Sequence, residues 1–244
     1  MRNILAVVSG KGGVGKSTCA LGIATAMARK GKNTLLIDLD CGLRCLDLMA
    51  DVSESLVFDL GDVLNGRPLS DAVLPVPRRH GLWLLAAPYD TKSIDGEALE
   101  RLLLSADYDY IILDMPAGTD FPYIEAISDI VDFIVVTCGD AVSVRDSGVA
   151  ADYAARFGGH CRLVINKYTR RHLKNGAYSG IDDIVDCSGC RLLGIVPFDD
   201  DCIRKPFSIF HRKNKKVKAF SRIADRIYGY ETPLPKVKRI EKGK

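Results

Sequence analysis

The sequence contains no long hydrophobic run. No apolar stretch approaches the roughly 18 to 20 residues that a membrane-spanning helix needs, and the N-terminal run Ile4–Val8 is too short for the core of a signal peptide. The eight cysteines of this 244-residue chain are therefore expected to be reduced thiols and not a disulfide framework. The four histidines are scattered and show no metal-ligand spacing. We expect a cytoplasmic protein.

Charge is unevenly distributed along the chain. The formal net charge is only +3, but residues 203–244 carry 14 Lys and Arg against 3 acidic residues, and the remainder of the chain is acidic. A basic C-terminal region indicates contact with an anionic surface, which would place the protein at the periphery of a membrane or of the nucleoid. The same charges also fit a solvated helix face followed by a loose tail. Charge alone does not choose between nucleic acid and lipid.

Short apolar runs alternate with helical patterns, without an internal repeat or an interdomain linker. The runs predict strands buried on both faces: Ile4–Val8, Thr34–Ile37, Leu82–Ala86, Tyr110–Leu113, Phe133–Thr137, Arg162–Ile165 and Leu192–Val196. Helices are predicted at Lys16–Arg29, Glu97–Ser105, Ser143–Phe157 and Val217–Tyr228. This alternation predicts an α/β fold, a mostly parallel twisted sheet of about seven to eight strands with helices on both faces. We expect one domain over residues 1–230 and a basic, weakly ordered tail over residues 231–244.

A glycine-rich loop follows the first predicted strand and opens the first predicted helix, and it fits the phosphate-loop pattern G-x-x-x-x-G-K-[ST]. Its residues are Gly10, Lys11, Gly12, Gly13, Val14, Gly15, Lys16 and Ser17, followed by Thr18. Glycines let backbone N–H groups converge on phosphate oxygens, and the helix directs its positive end to the same place. Lys16 is expected to contact the β- and γ-phosphates and the Ser17 hydroxyl to ligate Mg²⁺. The pattern predicts a P-loop NTPase domain.

Carboxylates follow two further predicted strands. Asp38 and Asp40 come at the end of the second strand, where they can hold Mg²⁺ through water and orient an attacking water. Asp114 follows the apolar run Tyr110–Leu113 and is the candidate Mg²⁺ ligand of a Walker B strand. Gly118 follows it and can offer its backbone N–H near a γ-phosphate. Ligands of parallel sheets bind beyond the carboxyl ends of the strands, so these groups are expected to meet the phosphate loop.

The second lysine of the loop, Lys11, extends the motif to KGGVGKS, which resembles the deviant Walker A ATPases of the MinD/ParA family. The stretches Gly42–Leu48 and Ala141–Ser147 are most similar to the MinD branch. The resemblance implies a slow, partner-stimulated, Mg²⁺-dependent ATPase that forms an ATP-dependent homodimer and positions a division site or another cargo.

The resemblance also implies roles for individual residues. Lys11 would reach the nucleotide of the partner subunit, and Asp40 would position the hydrolytic water, with Asp38 beside it near Mg²⁺. In the family an asparagine or arginine after a later strand contacts adenine, which points to Asn166, and Pro197 would line the other side of the base.

Three departures from the MinD pattern leave alternatives open. The C-terminal end lacks the bulky apolar residues of an amphipathic membrane-binding helix. The basic cluster between Arg204 and Lys218 suits a ParA-like partition ATPase that binds nonspecific DNA. The pair Cys187 and Cys190, together with Cys41 and Cys45, suits a metal or iron–sulfur carrier ATPase in which a dimer supplies four thiolates.

Overall fold

The computed structural model describes residues 3–41, 44–88, 94–118, 121–169, 178, 180–198 and 215–234. The strands are β1 (Ile4–Val8), β2 (Thr34–Asp38), β3 (Leu74–Pro75), β4 (Leu82–Leu85), β5 (Tyr110–Asp114), β6 (Asp132–Thr137), β7 (Cys161–Tyr168) and β8 (Arg191–Pro197). They form one eight-stranded sheet in the order β3-β4-β2-β5-β1-β6-β7-β8. All neighbouring strands are parallel except β3, which pairs antiparallel with β4 at one edge. The predicted fold class is confirmed.

Nine helices lie in the described parts of the chain. They are α1 (Lys16–Arg29), α2 (Leu46–Met49), α3 (Leu60–Leu64), α4 (Leu69–Ala72), α5 (Gly96–Ser105), α6 (Ile124–Ile127), α7 (Ala141–Arg156), α8 (Ile181–Ser188) and α9 (Lys215–Ile227). The four predicted helices are present, with ends within two residues of the predicted ones. The sequence patterns missed the short helices α2, α3, α4 and α6, and also α8. None of the described helices has both the length and the apolar character needed to cross a membrane.

The two faces of the sheet carry separate hydrophobic cores. On one face α1 and α9 pack on the central strands, and the Phe220 ring lies directly against Gly22, where an added Cβ would sit 2.4 Å from the ring. On the other face α5, α6, α7 and α8 cover the strands. Because both faces are covered, β1 is buried along its whole length, as a continuous apolar run requires.

The end of α9 leads into a segment that packs back on the sheet. The Arg226 Nε donates to the Thr232 carbonyl at 2.8 Å, so the first residues of the predicted tail lie close to α9. Residues 235–244 of that tail lie outside the described part of the chain. The boundary at residue 230 therefore stays a prediction.

Candidate functional site

The phosphate loop joins β1 to α1 in the conformation that its glycines permit. Gly13 and Gly15 have φ angles of 80° and 89°, in the left-handed region that side chains other than glycine adopt only with strain. Gly15 is the residue directly before α1, and Lys16 is the first helical residue. The loop therefore presents the free N–H groups of the α1 N-terminus at the carboxyl end of β1, which is the geometry of an anion site.

Lys16 forms a buried ion pair with the Walker B aspartate. Its Nζ lies 2.8 Å from Asp114 Oδ1 and 3.6 Å from Asp40 Oδ2. Lys16 is 6% exposed and Asp114 is completely buried, so the pair is strongly desolvated. The structure thus brings together the phosphate loop and the ends of β2 and β5, as the sequence predicted. The two carboxylates therefore partly neutralise the charge of Lys16.

Asp38 holds the loop after β2 in place. One carboxylate oxygen accepts from the backbone N–H of Asp40 at 2.9 Å, and the other accepts from the N–H of Leu46 at 3.4 Å. Asp38 and Asp114 are also register partners on neighbouring strands. Burial and the Asp114 carboxylate raise the pKa of Asp38 to about 7. Asp38 therefore shapes this loop, and its place beside a metal stays a prediction.

The donor set around Asp114 fits a magnesium ion. Asp114 Oδ2 is buried and has no hydrogen-bond partner in the described residues. Burial raises the pKa of Asp114, against the lowering effects of Lys16 and of the neighbouring Ser17 hydroxyl. An unpartnered carboxylate oxygen beside a hydroxyl is the oxygen-rich, negatively charged environment that Mg²⁺ prefers.

The segment after β5 is anchored to the phosphate loop. The backbone N–H of Gly118 donates to the Ser9 carbonyl at 3.0 Å, so this donor is engaged and does not point at a free phosphate position. Tyr123, which sequence reasoning missed, is 3% exposed, and its hydroxyl has no hydrogen-bond partner in the described residues. Burial and the nearby Cys41, Asp40 and Asp38 raise the pKa of this phenol.

Lys11 forms none of the ion pairs found in the described part of the chain. It is exposed and lines a cavity of about 440 Å³ together with Asp140, at the start of α7. Burial acts to raise the pKa of Asp140, but hydrogen bonds from Ser143 and the charge of Lys11 bring it below its usual value. Lys11 therefore lies on the side of the loop that faces α7, where its ammonium group is accessible to a second molecule.

Asn166 and Lys167 fasten the end of β7 to the phosphate loop. Asn166 Nδ2 donates to the Val14 carbonyl at 2.8 Å, and Lys167 Nζ donates to the Gly13 carbonyl at 2.6 Å. The Asn166 Oδ1 is buried and has no partner in the described residues, so it remains an acceptor for an amino group such as that of adenine. Pro197 is buried at the end of β8 and is a register partner of Tyr168, two residues beyond Asn166. The sequence did not predict the contact of Lys167 with the phosphate loop, although this lysine directly follows Asn166.

The cysteine pair of the carrier alternative does not share one environment. Cys187 is exposed at the end of α8, whereas Cys190 is buried, with its Sγ 2.8 Å from Cys161 Sγ. No group of three or more His, Cys, Asp or Glu suited to a metal occurs in the described ranges. In the basic cluster, Lys216 is buried and Lys218 is exposed, and residues 201–214 lie outside the described part.

The fold and this site define a P-loop nucleotide-binding protein with a second lysine in the loop. Residues 5–208 match the CobQ/CobB/MinD/ParA nucleotide binding domain. The chain belongs to this family. The match covers the phosphate loop and the strands of the parallel sheet.

Relatives within the family resemble the chain over its whole length. The septum site-determining protein MinD of Bacillus subtilis (strain 168) is 34% identical over 256 residues, covering 100% of this chain and 95% of the relative. A MinC:MinD cell division protein complex from Aquifex aeolicus contains a chain that is 31% identical, with a TM-score of 0.84, 96% coverage of this chain and 99% of that one. MinD of Pyrococcus horikoshii, solved with Mg-ADP, shares the fold at 24% identity and a TM-score of 0.80, covering 93% and 96% of the two chains.

Proposed function

We propose that this protein is a MinD-type ATPase that hydrolyses ATP to ADP and phosphate in a nucleotide-dependent homodimer and positions the division site. The observation that carries the proposal is the placement of the two lysines: Lys16 lies buried against Asp114, and Lys11 lies exposed on the α7 side of the same loop. The relative from B. subtilis is named a septum site-determining protein and matches this chain along its length, which supports the same role.

In this proposal the chain binds ATP by exchanging partners at Lys16. The Lys16 ammonium group leaves Asp114 and Asp40 and contacts the β- and γ-phosphates. The N–H groups of the loop bind the remaining phosphate oxygens. Ser17 and Asp114, with Asp38 beside them, would hold Mg²⁺, which would supply positive charge beside the phosphates. Asp40, released from Lys16, orients the attacking water. Asn166 Oδ1 accepts from the adenine amino group, and Pro197 borders the base.

Dimerisation supplies the second positive charge. Lys11 of each subunit contacts the nucleotide of the other, in the manner of a cationic residue supplied in trans, an effect worth about 10³ to 10⁵ in rate. Hydrolysis removes the shared γ-phosphate, and the subunits separate. The complex of MinC with MinD in A. aeolicus supports a protein partner for the dimer. We propose that this cycle takes place in the cytoplasm.

The test is the substitution Lys11→Ala, with Lys32→Ala as the matched control. Lys32 is also an exposed lysine, 43% exposed in its side chain, and lies near Asp109 and away from the loop. We expect Lys11→Ala to bind a fluorescent ATP analogue like the wild type, but to remain monomeric with AMPPNP and Mg²⁺ in light scattering. The control is expected to dimerise. Dimers of Lys11→Ala with unchanged stability would contradict the proposed mechanism.

The alternative function is a partition ATPase that acts on DNA, which the positive charge of residues 203–244 favours. Sedimentation with ATP against duplex DNA and against anionic liposomes distinguishes the two. Salt-sensitive retention on arbitrary DNA that depends on ATP would support the partition function. Retention on liposomes alone would support the division-site function.

A further inference from the structure

A large cavity lies at the opposite end of the sheet from the phosphate loop. Its volume is about 790 Å³, and its wall contains three arginines, Arg162, Arg191 and Arg226. Arg162 and Arg191 lie near the amino ends of β7 and β8, whereas the phosphate loop and Asp114 lie at the carboxyl ends of strands. The nucleotide site therefore does not include this cavity.

The backbone brings the three arginines to one cavity wall. Arg162 and Arg191 are register partners on adjacent parallel strands, where neighbouring backbones lie about 4.8 Å apart. Arg226 donates to the carbonyls of Leu193 and Thr232, which fixes it beside them. None of the ion pairs formed among the described residues involves any of these three arginines.

The positive charge of Arg191 acts on Arg226. Burial and the neighbouring Arg191 lower the pKa of Arg226. Like charges that face each other across strands destabilise a sheet, so the fold bears a cost that a bound anion would remove. Among the described residues of the cavity wall, Glu231 carries the only carboxylate, so these residues have a net charge of +2.

We propose that this cavity is a second anion site that binds a phosphate group attached to an organic moiety. A phosphate monoester carries close to two negative charges and several acceptor oxygens, which matches the net charge of the wall, and arginine binds phosphate oxygens in a bidentate fork. The remainder of the ligand would pack on Tyr230 and Leu234, which are 65% and 40% exposed at the same cavity.

The charge of the chain's C-terminal residues does not complement that of the arginines. Residues 235–244, which follow Leu234, contain five Lys and Arg and one Glu. A segment of the same sign as the arginines would add to the positive potential. In this proposal the phosphate group comes from another molecule, either a soluble phosphorylated compound or the headgroup of a phospholipid.

The test compares wild-type protein with Arg162→Gln/Arg191→Gln, and uses Arg101→Gln/Arg156→Gln as a control that removes the same charge. Arg101 and Arg156 are exposed on α5 and α7 and are not in the cavity wall. The probes are glycerol phosphate by calorimetry, and vesicles of phosphatidylglycerol or of phosphatidylcholine by sedimentation. All measurements are made with AMPPNP and Mg²⁺ filling the phosphate loop and repeated in a Lys16→Ala background, so the result does not depend on the nucleotide site.

We expect the cavity variant to bind its probe at least tenfold more weakly than wild type and than the control. Binding of glycerol phosphate identifies a soluble ligand, and binding of phosphatidylglycerol vesicles alone identifies a lipid headgroup. Equal binding by the cavity variant and wild type, or no binding of either probe by wild type, would overturn the proposal. Arg191→Gln alone, at an exposed position, provides the same comparison should the double variant not fold.

Discussion

The contact between the phosphate loop and α7 gives the sharpest quantitative prediction. A Cβ added at Gly10 would lie 2.1 Å from the carbonyl oxygen of Asp146 and 2.6 Å from its carbonyl carbon, both backbone atoms of α7. Ordinary van der Waals contact for such a Cβ begins at about 3.4 Å, so Gly10→Ala requires α7 or the loop to move by roughly 1 Å or more. No side chain can rotate away to relieve this overlap.

The energetic effect follows from what α7 packs against. Its buried residues, among them Val144 and Ala150, contact the sheet, and a shift of the helix disturbs all of these contacts together. Overpacking of this kind costs about 1–3 kcal/mol, and the smaller entropy of unfolded alanine offsets about 0.4–1 kcal/mol. We expect Gly10→Ala to lower the free energy of unfolding by about 1–2 kcal/mol, and the melting temperature by roughly 2–8 °C.

Gly12→Ala is the matched control, two residues along the same loop. A Cβ at Gly12 has no atom within 4 Å, and its φ angle lies outside the left-handed region. We expect its stability to equal that of wild type or to exceed it slightly. The assay is urea and thermal unfolding without nucleotide. Equal stabilities for Gly10→Ala and Gly12→Ala would refute the close packing of the loop on α7.

Three further predictions concern the site itself. Asp40→Asn should retain nucleotide binding and dimers with ATP but lose phosphate release, and wild-type turnover would remove Asp40 from the proposed role. Asn166→Ala deletes both the link to the Val14 carbonyl and the free acceptor Oδ1, so the preference for ATP over GTP in competition binding should fall; an unchanged preference would exclude an adenine contact. The last prediction applies to protein without nucleotide and with a chelator. Because the pKa of Asp38 is raised to about 7 in the folded state, its carboxyl group keeps a proton between pH 4 and about 7 that it has lost in the unfolded state. The contribution of Asp38 to stability should therefore decrease as pH rises through this window, and Asp38→Asn should flatten that slope in urea unfolding.

The sequence predicted the sheet because its strands are buried on both faces and appear as continuous apolar runs. It did not predict β3, a two-residue edge strand that contains Pro75 and is defined by pairing with β4. Helices of four or five residues such as α2 and α3 were missed for a related reason. A single turn shows no helical periodicity, and its conformation depends on local caps, such as the Asp59 side chain that accepts from Gly61 and Asp62 at the start of α3.

The site could be located from sequence, but the connections between its residues could not. A motif identifies Asp38 and Asp114 as strand-end carboxylates and leaves open what each oxygen contacts. The hydrogen bond from Leu46 N–H to Asp38 joins residues eight positions apart, and the hydrogen bond from Lys167 to Gly13 joins residues 154 positions apart. Both contacts arise from the order of strands in the sheet, which a linear pattern does not contain.

The charge balance of the site constrains how the proposed cycle begins. Lys16 is the one lysine paired with Asp40 and Asp114, and Asp38 lies beside Asp114 on the neighbouring strand, so the three carboxylates are only partly neutralised among the described residues. When a triphosphate draws Lys16 away, the buried Asp114 loses its closest positive charge, and an unpaired buried charge costs several kcal/mol. Binding of the nucleotide without a divalent cation is therefore opposed by the same carboxylates that favour the cation. Under the proposed function we therefore expect nucleotide and cation to bind cooperatively.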